Sequence, residues 1–286
     1  MKRFSLTLFF SLMILVIIGG FLFVNSDFNY NEEVVVDENA NNQINLDQFD
    51  LSSDFEVITV NNKYLSNQET QDQIILLGKN NQESDIPYWE EMMIAVKKGS
   101  ENTLIKKKLK DFNGYEPEIT FADFTGDKKK DILIKTASGG SGGIYFHRIL
   151  TLENDNLNII FDKKNNKGIK VVGYFADDFK AKLKFENINK NVVLDISVNK
   201  DKYIKENIYN KKGDMIEVDL VRPYSYPFSS LKPIDYNQDG TYELKGIQKI
   251  VGAYGADHIS EVESILTYKE NSWNISNVSY KTYLKK

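Results

Sequence analysis

The chain has 286 residues, a formal net charge of −5, two histidines and no cysteine. The missing cysteine excludes disulfides, thiolate metal sites, a cysteine nucleophile and a lipid-modified cysteine. Two histidines cannot build a three-histidine zinc site, and the acidic balance argues against nucleic acid, whose backbone would repel the chain.

Lys2 and Arg3 open the chain, and an uncharged apolar run follows from Ser5 to Val24. As a helix it would span about 30 Å, the hydrocarbon thickness of a bilayer. Residues 1–26 are therefore expected to be a signal peptide or a transmembrane anchor. Val24, Asn25 and Ser26 before Asp27 suit cleavage, whereas the length of the apolar run suits retention. In both cases the basic start stays inside and everything after Val24 lies outside, anchored to the membrane or secreted. Residues 27–54 are acidic, rich in Asn and without apolar periodicity. They are expected to form a disordered linker, with a β-repeat domain over residues 55–286.

From Phe55 the signal is nearly all strand. FEVITV (55–60), QIILLGK (73–79), MMIAVKKG (92–99), ITFAD (119–123), DILIKTA (131–137) and IYFHRILTL (144–152) are short runs separated by Asn, Gly, Asp and Lys clusters. NIIFD (158–162), KAKLKFENI (180–188) and VVLDISVN (192–199) continue the pattern, and only KDKYIKENIYN (200–210) suits a short helix. Sixteen tyrosines and 17 phenylalanines fit half-buried pleated surfaces. The expected class is mostly β.

An internal duplication organises the domain. Related units lie near 118–162 and 231–278, each running strand, Asp-rich loop, strand, Gly-containing loop, strand, polar turn, strand. Asp123 aligns with Asp235, Asp127 with Asp239, Asp131 with Glu243, and Leu157 with Trp273. Phe175-Ala176-Asp177 echoes Phe121-Ala122-Asp123, without the acidic residues that should follow. Antiparallel sheets from duplicated four-stranded units are expected.

The second acidic loop places oxygens at Asp235, Asn237, Asp239 and Glu243, with Gly240 to turn the chain and the Thr241 carbonyl to complete a shell. Such a ring of hard oxygens suits Ca²⁺. The first loop offers Asp123, Thr125, Asp127, the Lys129 carbonyl and Asp131, but Lys128 stands where the glycine should be, and the run of lysines weakens a cation's attraction. Neither is an EF-hand, because the twelfth position is Ile134 or Gly246. A metal-free polar turn is the alternative for both.

These stretches resemble FG-GAP or VCBS-type repeats, whose loops follow D-x-[DNT]-x-D-G-x-x-[DE] between two strands. Residues 235–243 keep all of that pattern and residues 123–131 depart at Lys128. The chain is also similar to uncharacterised exported proteins of spore-forming Gram-positive bacteria. The resemblance implies a small or incomplete β-propeller-like fold, metal-binding loops and a binding or structural role.

Other motifs have plainer readings. SGGSGG (138–143) spells G-x-S-x-G around Ser141, but strands on both sides give neither a nucleophile elbow nor a phosphate cradle. His147 sits in a strand. Asp257 and His258 are neighbours that should point apart. Arg222, Tyr224, Tyr226 and Phe228 alternate in an extended, proline-bounded stretch that either lines a groove or covers a sheet edge. The expected function is an exported, non-catalytic, calcium-stabilised module binding a cell-envelope protein or glycan. The alternatives are a hydrolase of envelope polysaccharide, which needs two carboxylates about 5–9 Å apart, and a structural envelope or spore-surface component.

Overall fold

A computed structural model describes residue 49 and residues 54–67, 69–80, 85–101, 103–140, 142–216 and 222–282. The leader, most of the linker and Ser141 lie outside the described residues. No helix among the described residues is long and apolar enough to cross a membrane.

The first four strands, β1 (Phe55–Lys63), β2 (Asp72–Asn80), β3 (Tyr88–Lys97) and β4 (Leu104–Leu109), form an antiparallel meander. A second meander follows: β5 (Gly114–Ala122), β6 (Asp131–Ala137), β7 (Tyr145–Glu153) and β8 (Asn156–Phe161). The start of β3 pairs with β5 through Tyr88↔Tyr115 and Trp89↔Gly114, which fuses the two into one eight-stranded sheet.

The second sheet has seven strands. β9 (Val171–Ala176), β10 (Lys180–Phe185) and β11 (Lys190–Asp195) form a three-stranded meander, followed by the short helix α1 (Lys200–Lys205). β12 (Tyr224–Ile234), β13 (Glu243–Val251), β14 (His258–Lys269) and β15 (Ser272–Thr282) form a third four-stranded meander, joined to β9 at Tyr224↔Val172. The architecture is thus mostly β and antiparallel, with three four-stranded meanders and one three-stranded meander merging pairwise into two sheets in an incomplete propeller-like arrangement. The Phe175-Ala176-Asp177 echo falls at the end of β9, where the three-residue turn Asp177-Asp178-Phe179, its last two residues with positive φ, stands in place of a longer acidic loop.

Burial follows from this layering. Strand β6 reads DILIKTA and is buried on both faces. Ile132 and Ile134 join Ile74, Ile94 and Leu150 on one side. Leu133, with Ile149 and Phe161, meets Phe228, Leu244 and Leu266 of the second sheet on the other. A strand covered on both faces reads as a continuous apolar run. β9, β10 and β11 are covered on one face only and alternate accordingly. The hairpins β7–β8 and β14–β15 turn at Asn154-Asp155 and Glu270-Asn271, both residues of each pair having positive φ, as the two-residue turns that match strand twist require.

Two side chains tie the sheets together. Trp273 Nε1 donates to the Ile160 carbonyl at 2.8 Å, and its ring packs edge-on against Phe124 and Phe161. Gln248 is fully buried. Its Nε2 donates to the carbonyls of Lys167, Ile169 and Tyr226, and its Oε1 accepts from the Ile169 amide at 2.7 Å. The segment between the sheets is thereby docked onto β13.

Phe49 falls within the expected linker, yet its side chain is fully buried among Phe55, Val60, Ile75, Leu77 and Met93. Its carbonyl accepts from Lys106 Nζ at 2.7 Å. An isolated aromatic in a polar stretch has no periodicity, so the sequence pattern does not reveal that it packs.

Candidate functional site: the acidic loops and a basic groove

The β5–β6 and β12–β13 connections are the two acidic loops, and they touch. The Tyr242 amide donates to the Asp123 carbonyl at 2.6 Å, and Lys130 Nζ lies 5.5 Å from the centroid of the Tyr242 ring. Their backbones share one shape. The fourth loop residue has positive φ in both (Gly126, 77°; Gln238, 60°), and so does the sixth (Lys128, 68°; Gly240, 88°). Each loop spends its glycine on one of the two left-handed positions and forces a side chain into the other. Lys128 therefore adopts the conformation for which Gly240 is suited.

The carboxylates knit these turns. Asp123 is buried and accepts from the amides of Gly126 at 2.6 Å and Lys128 at 2.7 Å. Asp235 accepts from Asp239 and Gly240, each at 3.1 Å. At the ninth position, Asp131 accepts from Phe124 at 2.8 Å and Thr125 at 3.2 Å, while Glu243 accepts from Tyr236 at 3.0 Å. Asp127 accepts from Lys129, and Asp239 from Thr241 and the Asn237 side chain. The Thr241 bond, followed by that of Asn237, holds the Asp239 carboxyl below its ordinary range. Burial pushes Asp131 up to about 6. Hydrogen bonds from Thr151 and Phe124 oppose that rise, and the charges of Asp123 and Asp127 add to it. Among the described residues no three carboxylates or histidines are grouped to hold a metal ion.

A third loop belongs to the same set, and its sequence hides it. Asp72 opens β2 as Asp131 opens β6 and Glu243 opens β13. Fully buried, it accepts from the amides of Leu65 (3.0 Å), Ser66 (2.6 Å) and Gly99 (3.0 Å) and from the Ser66 hydroxyl (2.7 Å). The reach from Asp72 to Leu65 matches that from Asp131 to Phe124 and from Glu243 to Tyr236. Tyr64 stands where the other loops carry their first Asp. The findable signal was the last carboxylate of the pattern, immediately before an apolar strand.

The remaining candidates are structural. His147 is buried, with Nδ1 2.8 Å from Asn166 Oδ1, and burial lowers its pKa to about 4. Asp257 does not act with His258. It accepts from the Tyr203 hydroxyl (2.8 Å), Lys202 Nζ (3.1 Å) and the Ala253 amide (2.8 Å), fastening α1 to the β13–β14 loop. The stretch Arg222–Phe228 is divided. Arg222 and Tyr224 face outward, Tyr226 packs beside Tyr224 with ring centroids 5.4 Å apart, and Phe228 is in the core. Register shifts between Ser225 and Phe228, and again before Ser230, break the alternation that would have kept all four on one face.

Arg222 and Tyr224 instead border an open groove of about 890 Å³ with the outer face of β9–β11. Its floor carries Val172, Tyr174, Lys182, Lys184, Asn191 and Val193.

A family model described as the YybI C-terminal domain matches residues 169–281, which is the second sheet. The uncharacterized protein YybI of Bacillus subtilis (strain 168) is 29% identical over 198 residues, covering 69% of this chain and 74% of that protein. No solved structure gives a significant match. No FG-GAP or VCBS family is among these matches; what the chain is similar to is an uncharacterized protein of a Gram-positive bacterium.

Proposed function

We propose that the chain is a non-catalytic binding module that works outside the cytoplasm, held by or released from its N-terminal apolar segment, and that it takes a cell-envelope protein or glycan as ligand. The observation that carries this reading is the open groove beside Arg222 and Tyr224. It presents rings and cations to solvent, whereas the buried polar side chains Asp72, Asp131, Gln248 and Asp257 are hydrogen-bonded within the fold. The test is co-sedimentation of the purified full chain with isolated Bacillus subtilis envelopes, the organism of the YybI relative. Saturable binding is expected. Recovery of all the protein in the supernatant across a range of salt concentrations refutes the reading.

Calcium is the second element, favoured by one observation. Within the first loop the charges of Asp123 and Asp127 add to the upward shift of Asp131, of which burial is the larger cause. A cation relieves that repulsion. Asp235, Asn237 and Asp239 lie toward solvent and keep lone pairs beyond those given to loop amides. A site with a dissociation constant of about 10⁻⁴–10⁻³ M suits extracellular calcium. At 100 times that constant it raises stability by about 2.7 kcal/mol. Thermal unfolding should therefore shift upward with Ca²⁺ relative to EDTA at matched ionic strength, and Asp239→Ala should remove most of the shift. A midpoint unmoved up to about 10 mM Ca²⁺, ten times the upper end of that range, leaves the loops as metal-free turns.

A further inference from the structure

We propose that the groove on the outer face of β9–β11 binds an acidic polysaccharide; this names the ligand class of the module proposed above and rests on that reading. On β10 the residues alternate cleanly: Ala181, Leu183 and Phe185 are buried, while Lys182 and Lys184 point outward with Lys180 in the same row. Lys180 is offset by Asp178 at 3.8 Å and faces Asp195 in register. Among the described residues no carboxylate lines the floor; Glu186, close enough to Lys184 to feel its charge, is paired with Lys170 at 2.8 Å, and Arg222 adds a third exposed cation at the rim. In a chain of net charge −5, this is a local positive patch.

The aromatic and apolar groups choose between anions. Tyr174 is 55% exposed, Tyr224 40% and Val193 59%. Lys182 Nζ lies 5.7 Å from the centroid of the Tyr174 ring, so cation and ring form one platform. Sugar rings present apolar C–H faces that stack on such rings, and their acidic substituents meet the flanking cations. An extended peptide would bind a sheet through main-chain hydrogen bonds at an edge. The lysines of this groove stand on a face, on β10, which is already paired on both sides with β9 and β11. Work outside the cytoplasm, on which this proposal rests, sets the groove among envelope polysaccharides and not nucleic acid.

The experiment is isothermal titration of the full chain in mild detergent with polygalacturonate, dextran and poly-L-glutamate. Polygalacturonate should bind, with affinity falling several-fold between low and physiological salt. The double variant Lys182→Glu/Lys184→Glu should lose tenfold or more, and Tyr174→Ala should weaken binding with little change in salt dependence. Lys163→Glu/Lys164→Glu, the same charge change on an exposed turn elsewhere, should bind as wild type. All the altered side chains except Tyr174 are exposed lysines, and thermal unfolding checks that each variant is folded. Equal binding of dextran overturns the requirement for acid groups. Equal binding of poly-L-glutamate makes the ligand an acidic peptide, and equal loss in both double variants reduces the effect to diffuse charge. If none of the three polymers binds while the wild type still sediments with envelopes, this ligand class is wrong and the broader reading stands. Failure to sediment removes both.

Discussion

His147 should make the fold sensitive to acid, and the size of the effect follows from its surroundings. Its ring is buried against Asn166, and desolvation lowers its pKa from 6.5 to about 4. Between those values the unfolded chain binds a proton that the folded protein refuses, so stability rises with pH across the window. It is fully present above pH 6.5 and is lost as pH falls toward 4. At 1.36 kcal/mol per unit, the difference amounts to about 3 kcal/mol. Asp131 works in the opposite direction over nearly the same range. Its carboxyl moves from 3.8 up to about 6, so the folded protein holds a proton that the unfolded chain has released. Stability from that group therefore falls by about 3 kcal/mol as pH rises from about 4 to about 6. The wild type should show a shallow pH profile because the two slopes offset one another. His147→Gln should uncover the Asp131 slope and be relatively more stable at pH 4.5 than at pH 7. Asp131→Asn should uncover the opposite slope. The assay is urea unfolding in EDTA at half-unit pH steps from 4 to 7.5. Profiles of wild type and His147→Gln that run parallel would refute the argument, whatever their vertical offset.

Asp72→Ala strands three backbone donors and a hydroxyl and should cost about 4 kcal/mol, with Asp72→Asn costing about half as much. An unfolding free energy in urea for the alanine variant within about 1 kcal/mol of wild type would show that water replaces the carboxylate. Phe49→Ala should destabilise by about 3–5 kcal/mol, and a chain starting at Phe55 should melt earlier than one starting at Asp27; equal melting temperatures would detach Phe49 from the core. Lys128→Gly relieves a left-handed side chain and should stabilise by up to about 1 kcal/mol after the entropy that glycine adds to the unfolded state. Lys129→Gly is the control, since Lys129 does not have positive φ, and a gain there equal to that at Lys128 would remove strain as the cause.

Strand-level organisation was legible wherever one face is buried and the other wet, or where both are covered. FEVITV, DILIKTA and IYFHRILTL fall on β1, β6 and β7. β4 escaped notice because LIKKKL offers only Ile105 and Leu109 as buried anchors among lysines. The paired acidic loops were visible through their repeated spelling. The bonding of those carboxylates was not, because an Asp that caps a turn and an Asp that ligates calcium share the same spacing. Nor could spelling reveal that Lys128 mimics glycine, that Asp72 completes the series, or that bulges in β12 separate Tyr224 from Phe228. The groove was half legible: Arg222 and Tyr224 stood out in sequence, whereas Lys182, Lys184 and Tyr174 come beside them only through the pairing of β9 with β10 and β12.

The Gln248 clamp has a consequence for how such a chain can be divided. A boundary drawn at residue 169, where the family match begins, cuts beside the segment whose Lys167 and Ile169 backbone groups that amide holds. It also removes the Ile160 carbonyl that receives Trp273 and bares Phe228, Leu244 and Leu266 to water. The second sheet, cut at the start of the family match, is therefore not expected to fold alone. Recombination that moved it alone into another protein would have to bring a substitute apolar face along with it.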